Sequence, residues 1–242
     1  MTAGLLVTDD ESFGAVAADA VLAGLGGQRR CLGVATGETP VPLYIEMVRR
    51  ARAGEVDLRA ATLVALDEYL GIGGDDPRSY TAYVRQRIAM PLGVLERNVV
   101  VPDGLAEDAE AEAARVEERI RSAGGVDVQI VGIGSNGHLA FNEPGSDFDS
   151  STRVVAISES TRRDNARFFD GRLDDVPRWA ITQGLATIRR ARAIVLVARG
   201  VGKARALSAA LHGARTADVP ASILQDHPSV TVVADRAAAS LL

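Results

Sequence analysis

Cysteine, histidine and lysine are scarce in this chain of 242 residues, and each shortage narrows the functions open to it. A single cysteine, Cys31, excludes an internal disulfide, and three histidines leave few ligands for a zinc site. Because Cys31 opens an apolar, strand-like segment, we expect a small buried side chain rather than a reactive thiol. The chain also lacks the roughly 18 consecutive apolar residues of a membrane span and the basic N-terminal region of a signal peptide. These absences predict a cytoplasmic protein with no membrane partner.

Positive charge is carried almost entirely by arginine. Lysine and arginine total 27, against 32 acidic residues, and the only lysine is Lys203. The net charge of -5 and the pI near 5.3 argue against nucleic acid as a partner, so an anionic ligand would need a local cluster of cations. The lone lysine indicates a position where a compact ammonium is preferred to a planar guanidinium, although chance survival explains it equally well.

Short apolar segments alternate with helical patterns along the whole chain. The predicted strands cover residues 29–35, 61–66, 126–134, 191–198 and 229–235. The predicted helices cover residues 9–25, 39–54, 78–93, 105–125 and 176–191. Apolar runs without alternation are typical of parallel strands covered by helices on both faces, and the repeated strand–helix order predicts a doubly wound α/β fold. No repeat or linker interrupts this order, so residues 1–242 are predicted to form a single domain.

In such a sheet, ligands bind beyond the carboxyl ends of the strands. The first of these ends is Thr36-Gly37-Glu38-Thr39-Pro40, a turn with hydroxyls and free backbone N–H groups at the start of a helix. The turn suits a phosphate, although an ordinary helix N-cap explains the same residues. Glu38 would repel an anion, so it must point away from a phosphate bound here.

Acidic and imidazole side chains follow the next two strands. Asp67 and Glu68 directly follow the apolar segment "ATLVAL", so at least one of them should lie at the carboxyl edge of the sheet. The alternative is that the two acids only form a turn or a helix N-cap. His138 and Glu143 lie in the glycine-rich segment "GIGSNGHLAFNEPGS". A carboxylate bonded to one ring nitrogen fixes the imidazole tautomer and raises its basicity, as a proton-transferring histidine requires. A structural histidine is the alternative.

Lys203 follows the fourth predicted strand, in the glycine-rich segment "RGVGK" that opens a helix. A cation at the N-terminus of a helix is unfavourable unless an anion is bound beside it. We therefore interpret Lys203 as a ligand for an anion.

These motifs together carry a resemblance that runs nearly end to end. In chain order they are "LGVATGETP", "LDEYLG", "DPRSY", "GIGSNGHLAFNEPGS", "TRRDNARFFD", "VPRWAITQGL", "GVGKARAL" and "SILQDHP". The chain resembles the glucosamine-6-phosphate deaminases (isomerising), within a wider group that includes the 6-phosphogluconolactonases. The lactonases lack the Asn-Glu-Pro that follows Gly-His here, so the resemblance favours the deaminase branch.

The resemblance implies a Rossmann-like fold with a mobile lid at roughly residues 155–180, and a reaction without cofactor or metal. That reaction isomerises and deaminates glucosamine 6-phosphate to fructose 6-phosphate and ammonia. Asp67 would move the proton between C2 and C1. His138 would open the sugar ring with help from Glu143 and Asn136. The residues that would contact the substrate and its phosphate are Thr36, Gly37, Thr39, Gly137, Arg167 and Lys203.

Three positions depart from the family pattern. Asn136 stands where some members carry an aspartate, so it can orient a neighbour but cannot carry charge. Glu38 occupies a position that is usually small. Val155 replaces a basic residue of the allosteric hexamers, so we expect no regulation by an N-acetylated sugar phosphate, and a monomer or small homo-oligomer.

Two other functions are compatible with the same motifs. A sugar-phosphate lactonase on the same fold would use His138 as the base for attack by water. The second is a non-catalytic phosphosugar sensor, as in the effector domains of sugar-responsive repressors. Such sensors usually carry a DNA-binding helix-turn-helix, and no basic recognition segment precedes the first predicted strand here. Release of ammonia, release of acid, and binding without turnover distinguish the three functions.

Overall fold

The computed structural model describes residues 4–26 and 30–242, and its largest element is a seven-stranded parallel sheet. The strands, numbered along the chain, are β1 (Gly4–Thr8), β2 (Cys31–Val34), β3 (Thr62–Ala65), β4 (Asp67–Tyr69), β5 (Val99–Val100), β6 (Val128–Gly132), β7 (Arg153–Ala156), β8 (Trp179–Thr182), β9 (Ala193–Ala198) and β10 (Val230–Asp235). The order in the large sheet is β1-β10-β9-β6-β2-β3-β5, and every adjacent pair is parallel. Consecutive residues of β2 and β9 are buried, so both faces of the sheet are covered.

Helices connect these strands and cover the sheet. They are α1 (Phe13–Gly24), α2 (Val41–Arg52), α3 (Tyr80–Val84), α4 (Met90–Leu92), α5 (Ala109–Ser122), α6 (Glu159–Asn165), α7 (Leu185–Arg189) and α8 (Ala204–His212). A π-helical turn, Arg85–Ala89, joins α3 to α4 without a break. None of the helices in the described residues combines the length and apolar character required to cross a bilayer. The arrangement is the predicted Rossmann-like, doubly wound α/β fold.

All five predicted strands are present, although each is shorter than predicted. Arg29, at the start of the first, lies outside the described residues. The prediction missed β1 and β5 of the large sheet and all three strands of the smaller sheet, β4, β7 and β8. The first of these lies at the sheet edge, where Leu5, Leu6 and Val7 are 41–51 % exposed, and β5 has two residues. Neither β1 nor β5 shows the long buried apolar run by which the predicted strands were recognised.

Cys31, the first residue of β2, is buried as predicted. It is 2 % exposed, and burial raises the pKa of its thiol to about 12. The side chain therefore acts as a small apolar group within the sheet, and not as a thiolate nucleophile.

The helix predicted for residues 176–191 is wrong in its first half. Trp179–Thr182 form β8, which pairs antiparallel with β4 and β7 in a second, three-stranded sheet. Gly184 then begins the short helix α7. The apolar residues of β8 and α7 follow one another closely enough to mimic a single helical period, which conceals the break at the glycine.

The second sheet holds both ends of the segment predicted as a lid. Residues 157–178 connect the end of β7 to the start of β8. Phe169 and Val176 of this segment pack with Tyr69 and Phe141 in a second apolar cluster, separate from the main core. The segment is therefore packed against the chain that follows β3, and its motion stays a prediction.

The turn between β8 and α7 depends on Gly184. Ser150 accepts hydrogen bonds from two free backbone N–H groups in the first turn of α7. Its Oγ accepts the Leu185 N–H (3.1 Å) and its carbonyl accepts the Ala186 N–H (3.0 Å). A Cβ on Gly184 would lie 2.1 Å from the Ser150 carbonyl oxygen and 2.3 Å from that of Ser151. Glycine is therefore required by the close approach of two backbone segments.

Replacing Gly184 by alanine should destabilise the fold by about 1–3 kcal/mol, because backbone atoms cannot yield to a new methyl group as a side chain would. The free energy of unfolding from denaturant titration measures the effect. Gly202→Ala is the matched control, because no described atom beyond its chain neighbours lies within 4 Å of the Cβ position there and its φ is outside the left-handed region. Equal stability of the two variants would contradict the packing described for Gly184.

Candidate active site

The chain segments that follow β2, β3, β6 and β9 enclose a cleft of about 580 Å³, a volume typical of small-molecule sites. The predicted site residues at its surface are Thr36, Gly37, Thr39, Asp67, His138, Arg167 and Lys203. The other predicted residues, Asn136, Gly137 and Glu143, adjoin His138 within its own loop. The structure therefore brings seven of the ten predicted site residues to one cleft and places the other three beside His138.

The His138 imidazole packs directly on the backbone of its own loop. A Cβ on Gly134 would lie 2.3, 2.4 and 2.5 Å from three atoms of the ring. The Gly134 N–H donates to the His138 carbonyl (3.0 Å), and Gly137 turns the chain with a φ of 85°. The two glycines have different tasks, because one allows the ring to approach and the other allows the turn.

A buried amide, Asn142, fixes the far side of this loop. Its Nδ2 donates to the carbonyls of Leu139 (2.9 Å) and Gln183 (2.8 Å), and its Oδ1 accepts a hydrogen bond from Arg153 (2.9 Å). Asn142 is a structural residue that ties the His138 loop to the end of β8. Sequence reasoning did not single it out, because its partners come from distant parts of the chain.

The carboxylate of Glu143 faces the His138 ring. Glu143 Oε2 lies 3.8 Å from His138 Nδ1 and accepts a hydrogen bond from Asn136 Nδ2 at 2.9 Å. Asn136 Oδ1 in turn accepts the His138 backbone N–H (3.2 Å). The amide therefore orients the carboxylate relative to the histidine, which is the task that an uncharged residue can perform at this position.

Two hydroxyls that sequence reasoning missed complete the surroundings of Glu143. Ser158 Oγ donates to Glu143 Oε1 (2.9 Å), and Thr161 Oγ1 donates to the same oxygen. Both lie at the start of α6, where Ser158 is also the N-cap that accepts the Thr161 N–H (3.2 Å). A serine before a helix predicts an N-cap, but nothing in the sequence indicates a contact with Glu143.

Burial lowers the pKa of His138 below its ordinary value of 6.5. The negative charge of Glu143 opposes this shift, Lys203 reinforces it, and Asp164 opposes it. The imidazole is therefore neutral at pH 7, where one of its nitrogens can accept a proton.

Of the two adjacent acids, Asp67 lines the cleft and Glu68 does not. Glu68 turns to the start of α3, where its carboxylate accepts the backbone N–H groups of Tyr80 (2.9 Å) and Thr81 (2.7 Å). Asp67 is 6 % exposed, and burial together with the charge of Glu68 raises its pKa well above the ordinary range. A raised pKa suits a carboxylate that takes a proton from carbon and returns it.

The turn over residues 36–40 leads into α2 and is held in place by Tyr83. Gly37 has a φ of 91°, and its carbonyl accepts a hydrogen bond from the Tyr83 hydroxyl (2.6 Å). Glu38 lines the cleft rather than pointing away from it, and Glu38 Oε1 lies 3.8 Å from Arg87 Nη1, which lines the cleft as well. The carboxylate that should repel an anion is therefore offset by a cation, and sequence reasoning missed this partner.

Lys203 and Arg167 bring two cations to the cleft. Lys203 ends the 3₁₀ turn Val201–Lys203 and precedes α8. Burial lowers the pKa of Lys203, Asp164 opposes that shift and Arg167 reinforces it, so the three charged groups lie close enough to interact. Two cations beside the start of a helix favour an anionic ligand.

A family model described as glucosamine-6-phosphate isomerases/6-phosphogluconolactonase matches residues 14–233. The chain belongs to this family. A glucosamine-6-phosphate deaminase of Cutibacterium acnes is 47 % identical over 239 residues, which cover 98 % of this chain and 91 % of that protein. A glucosamine-6-phosphate deaminase of Streptomyces avermitilis is 44 % identical over 239 residues, 98 % of this chain and 92 % of that protein.

Solved structures in the glucosamine-6-phosphate isomerase/6-phosphogluconolactonase family share this fold. A monomeric glucosamine-6-phosphate deaminase has a TM-score of 0.92 at 39 % identity, over the whole of both chains. A 6-phosphogluconolactonase from Leishmania guyanensis has a TM-score of 0.78 at 21 % identity, over 98 % of each chain, and shows the common fold alone. Identity is therefore higher with these deaminases than with that lactonase.

Proposed function

We propose that this chain converts glucosamine 6-phosphate and water into fructose 6-phosphate and ammonia. One observation carries the proposal: a single cleft is lined by an acid, Asp67, by His138, and by two cations. Isomerisation of a phosphorylated amino sugar needs a base that removes the proton from C2, an acid/base group at the ring oxygen and cationic groups that bind the phosphate. Relatives named glucosamine-6-phosphate deaminase support the same substrate.

The phosphate positions the sugar. Lys203 and Arg167 bind its charged oxygens, together with the hydroxyls and backbone N–H groups of Thr36, Gly37 and Thr39. The phosphate does not react, but holding it fixes C1 and C2 against the catalytic groups. The binding energy gained at this end of the substrate is thereby used to orient the other end.

His138 opens the pyranose ring. Its neutral imidazole accepts the proton of the C1 hydroxyl, and the resulting imidazolium donates that proton to the ring oxygen as the bond between C1 and that oxygen breaks to give the open-chain aldehyde. Glu143, which faces His138 Nδ1, stabilises the positive charge that develops on the ring. Asn136 keeps the carboxylate in place through its hydrogen bond. Gly137 gives the loop the turn that brings these groups to the substrate.

Asp67 then moves the proton that converts the aldose to the ketose. Its carboxylate takes the proton from C2 while the substrate ammonium gives a proton to O1, which yields an enolamine. Asp67 then returns the C2 proton to C1, which gives a protonated 2-imino sugar. Water adds to C2, the carbon–nitrogen bond breaks, and ammonia leaves from the fructose 6-phosphate product. A positioned acid/base of this kind contributes roughly 10²–10⁴-fold to the rate.

Assembly, location and the lid complete the proposal. A structural relative is described as monomeric and Val155 is apolar, which supports a monomer or small homo-oligomer. A doubly charged sugar phosphate does not cross a bilayer unaided, so we propose the cytoplasm as the location. Residues 155–180 act as a lid over the cleft, because Thr161 and Arg167 of this segment line it.

Incubation of the purified chain with glucosamine 6-phosphate should release ammonia and fructose 6-phosphate in equal amounts, each measured by a coupled enzymatic assay. Incubation with 6-phosphogluconolactone should release acid no faster than the uncatalysed reaction. Acid release without ammonia would favour a lactonase. Calorimetric binding of the phosphosugar without either product would favour a sensor.

Asp67→Asn should bind the phosphosugar normally but lose exchange of the C2 hydrogen with solvent deuterium, because the amide cannot take a proton from carbon. We expect the exchange rate, followed by NMR, to fall at least roughly 10²-fold. Asp75→Asn is the control, since Asp75 is fully exposed and does not line the cleft. Exchange at the wild-type rate in the Asp67 variant would rule out its role as the base.

Lys203→Ala should raise KM for glucosamine 6-phosphate roughly 10- to 100-fold, as expected for the loss of a charged hydrogen bond of about 1.5–3 kcal/mol. Inhibition by inorganic phosphate should weaken in parallel. Arg205→Ala removes an exposed cation from the first turn of α8 and serves as the control, because Arg205 does not line the cleft. If KM and phosphate inhibition are unchanged in the Lys203 variant, the phosphate does not bind at this lysine.

A further inference from the structure

The carboxylate of Glu143 is held from two sides, and only one side belongs to its own loop. Asn136 donates to Oε2 (2.9 Å), whereas Ser158 and Thr161 donate to Oε1 from the start of α6. Ser158 and Thr161 lie 15 and 18 residues further along the chain. Thr161 is 4 % exposed, so solvent water has little access to replace its hydroxyl.

We propose that Ser158 and Thr161 are positioning residues that set the orientation of Glu143 toward His138. The proposal rests on the proposed function, in which Glu143 supports proton transfer by His138. A carboxylate has several acceptor positions, and two hydroxyls on Oε1 direct the other oxygen to His138 Nδ1, 3.8 Å away. Nδ1 is buried and has no hydrogen-bond partner in the described part of the chain, so Glu143 is the acid that faces it.

The helix that carries these hydroxyls also leads to the phosphate end of the cleft. α6 continues into the 3₁₀ turn Ala166–Phe168, which carries Arg167, and both Thr161 and Arg167 line the cleft. Between them, the buried Arg162 donates to two backbone carbonyls later in the segment and ties the helix to it. An anion bound by Arg167 therefore also fixes the helix that orients Glu143.

The charged groups that face His138 come from three elements. Glu143 lies in its own loop, Lys203 at the start of α8, and Asp164 on α6. Loss of a hydroxyl that bonds only to Glu143 leaves Lys203 and Asp164 where they are. Because Glu143 raises the pKa of His138, a less firmly held carboxylate should lower that pKa.

Thr161→Val removes the hydroxyl but keeps the shape of the side chain. We expect kcat to fall about 10- to 100-fold, with KM for glucosamine 6-phosphate and inhibition by inorganic phosphate within about twofold of wild type. Thr161→Ser keeps the hydroxyl and should restore most of kcat. Arg163→Gln is the control, because Arg163 is exposed on α6, does not line the cleft and pairs with Glu159 rather than with Glu143 or Ser158.

A double-mutant cycle with Glu143→Gln tests whether the hydroxyls act through Glu143. In the E143Q background, T161V should change kcat less than about twofold, because the carboxylate that Thr161 orients is gone. Additive losses in kcat, or a rise in KM with kcat unchanged, would overturn the proposal in favour of a direct contact with substrate. Ser158→Ala, measured in the same cycle, answers the question if the Thr161 variant does not fold.

The same cycle can be read from the ring resonances of His138 by NMR, which needs no turnover. T161V should lower the His138 pKa in the wild-type background and leave it unchanged in E143Q. An unchanged pKa in both backgrounds would overturn the proposal. If the T161V effect on the His138 pKa depends on Glu143 but the protein releases no ammonia, the positioning role of Thr161 is supported and the proposed function is contradicted.

Discussion

Seven parallel strands impose one constraint on the rest of the molecule, because the loops that leave their carboxyl ends all emerge at the same edge of the sheet. Central strands such as β2 and β9 are buried on both faces, so reactive polar side chains are accommodated where these strands end. Asp67, His138 and Lys203 each lie within a few residues of such an end. Their meeting in one cleft follows from the common direction of the strands.

The second sheet determines which side chains face this cleft. β4 begins two residues after β3 and pairs antiparallel with β8, which fixes the backbone at Asp67. Successive side chains on a strand point to opposite faces. Asp67 therefore lines the cleft, while Glu68 faces the start of α3 and accepts its free N–H groups. The same backbone constraint thus places one acid at the cleft and the other at the start of α3.

The sequence was sufficient for features that depend on local pattern. The buried strands are apolar runs, and the residues after them, such as Asp67 and Lys203, could be picked out because chemistry concentrates at strand ends. β1 was missed because its apolar run is only three residues long, Leu5, Leu6 and Val7, and lies exposed at the sheet edge. The contacts of Ser158 and Thr161 with Glu143, and of Arg87 with Glu38, could not be predicted, because packing between distant segments creates them and no sequence spacing records it.

The ion pair of Glu38 with Arg87 has a consequence for how a substrate reaches the cleft. Both side chains are at least half exposed and their charges balance, so together they add little to the electrostatic potential felt by an approaching dianion. Lys203 is buried further from solvent, where salt screens its interactions less than those of surface groups. Long-range attraction of an anionic ligand therefore comes from the exposed Arg167 rather than from the Glu38–Arg87 pair, and Lys203 contributes at short range after entry.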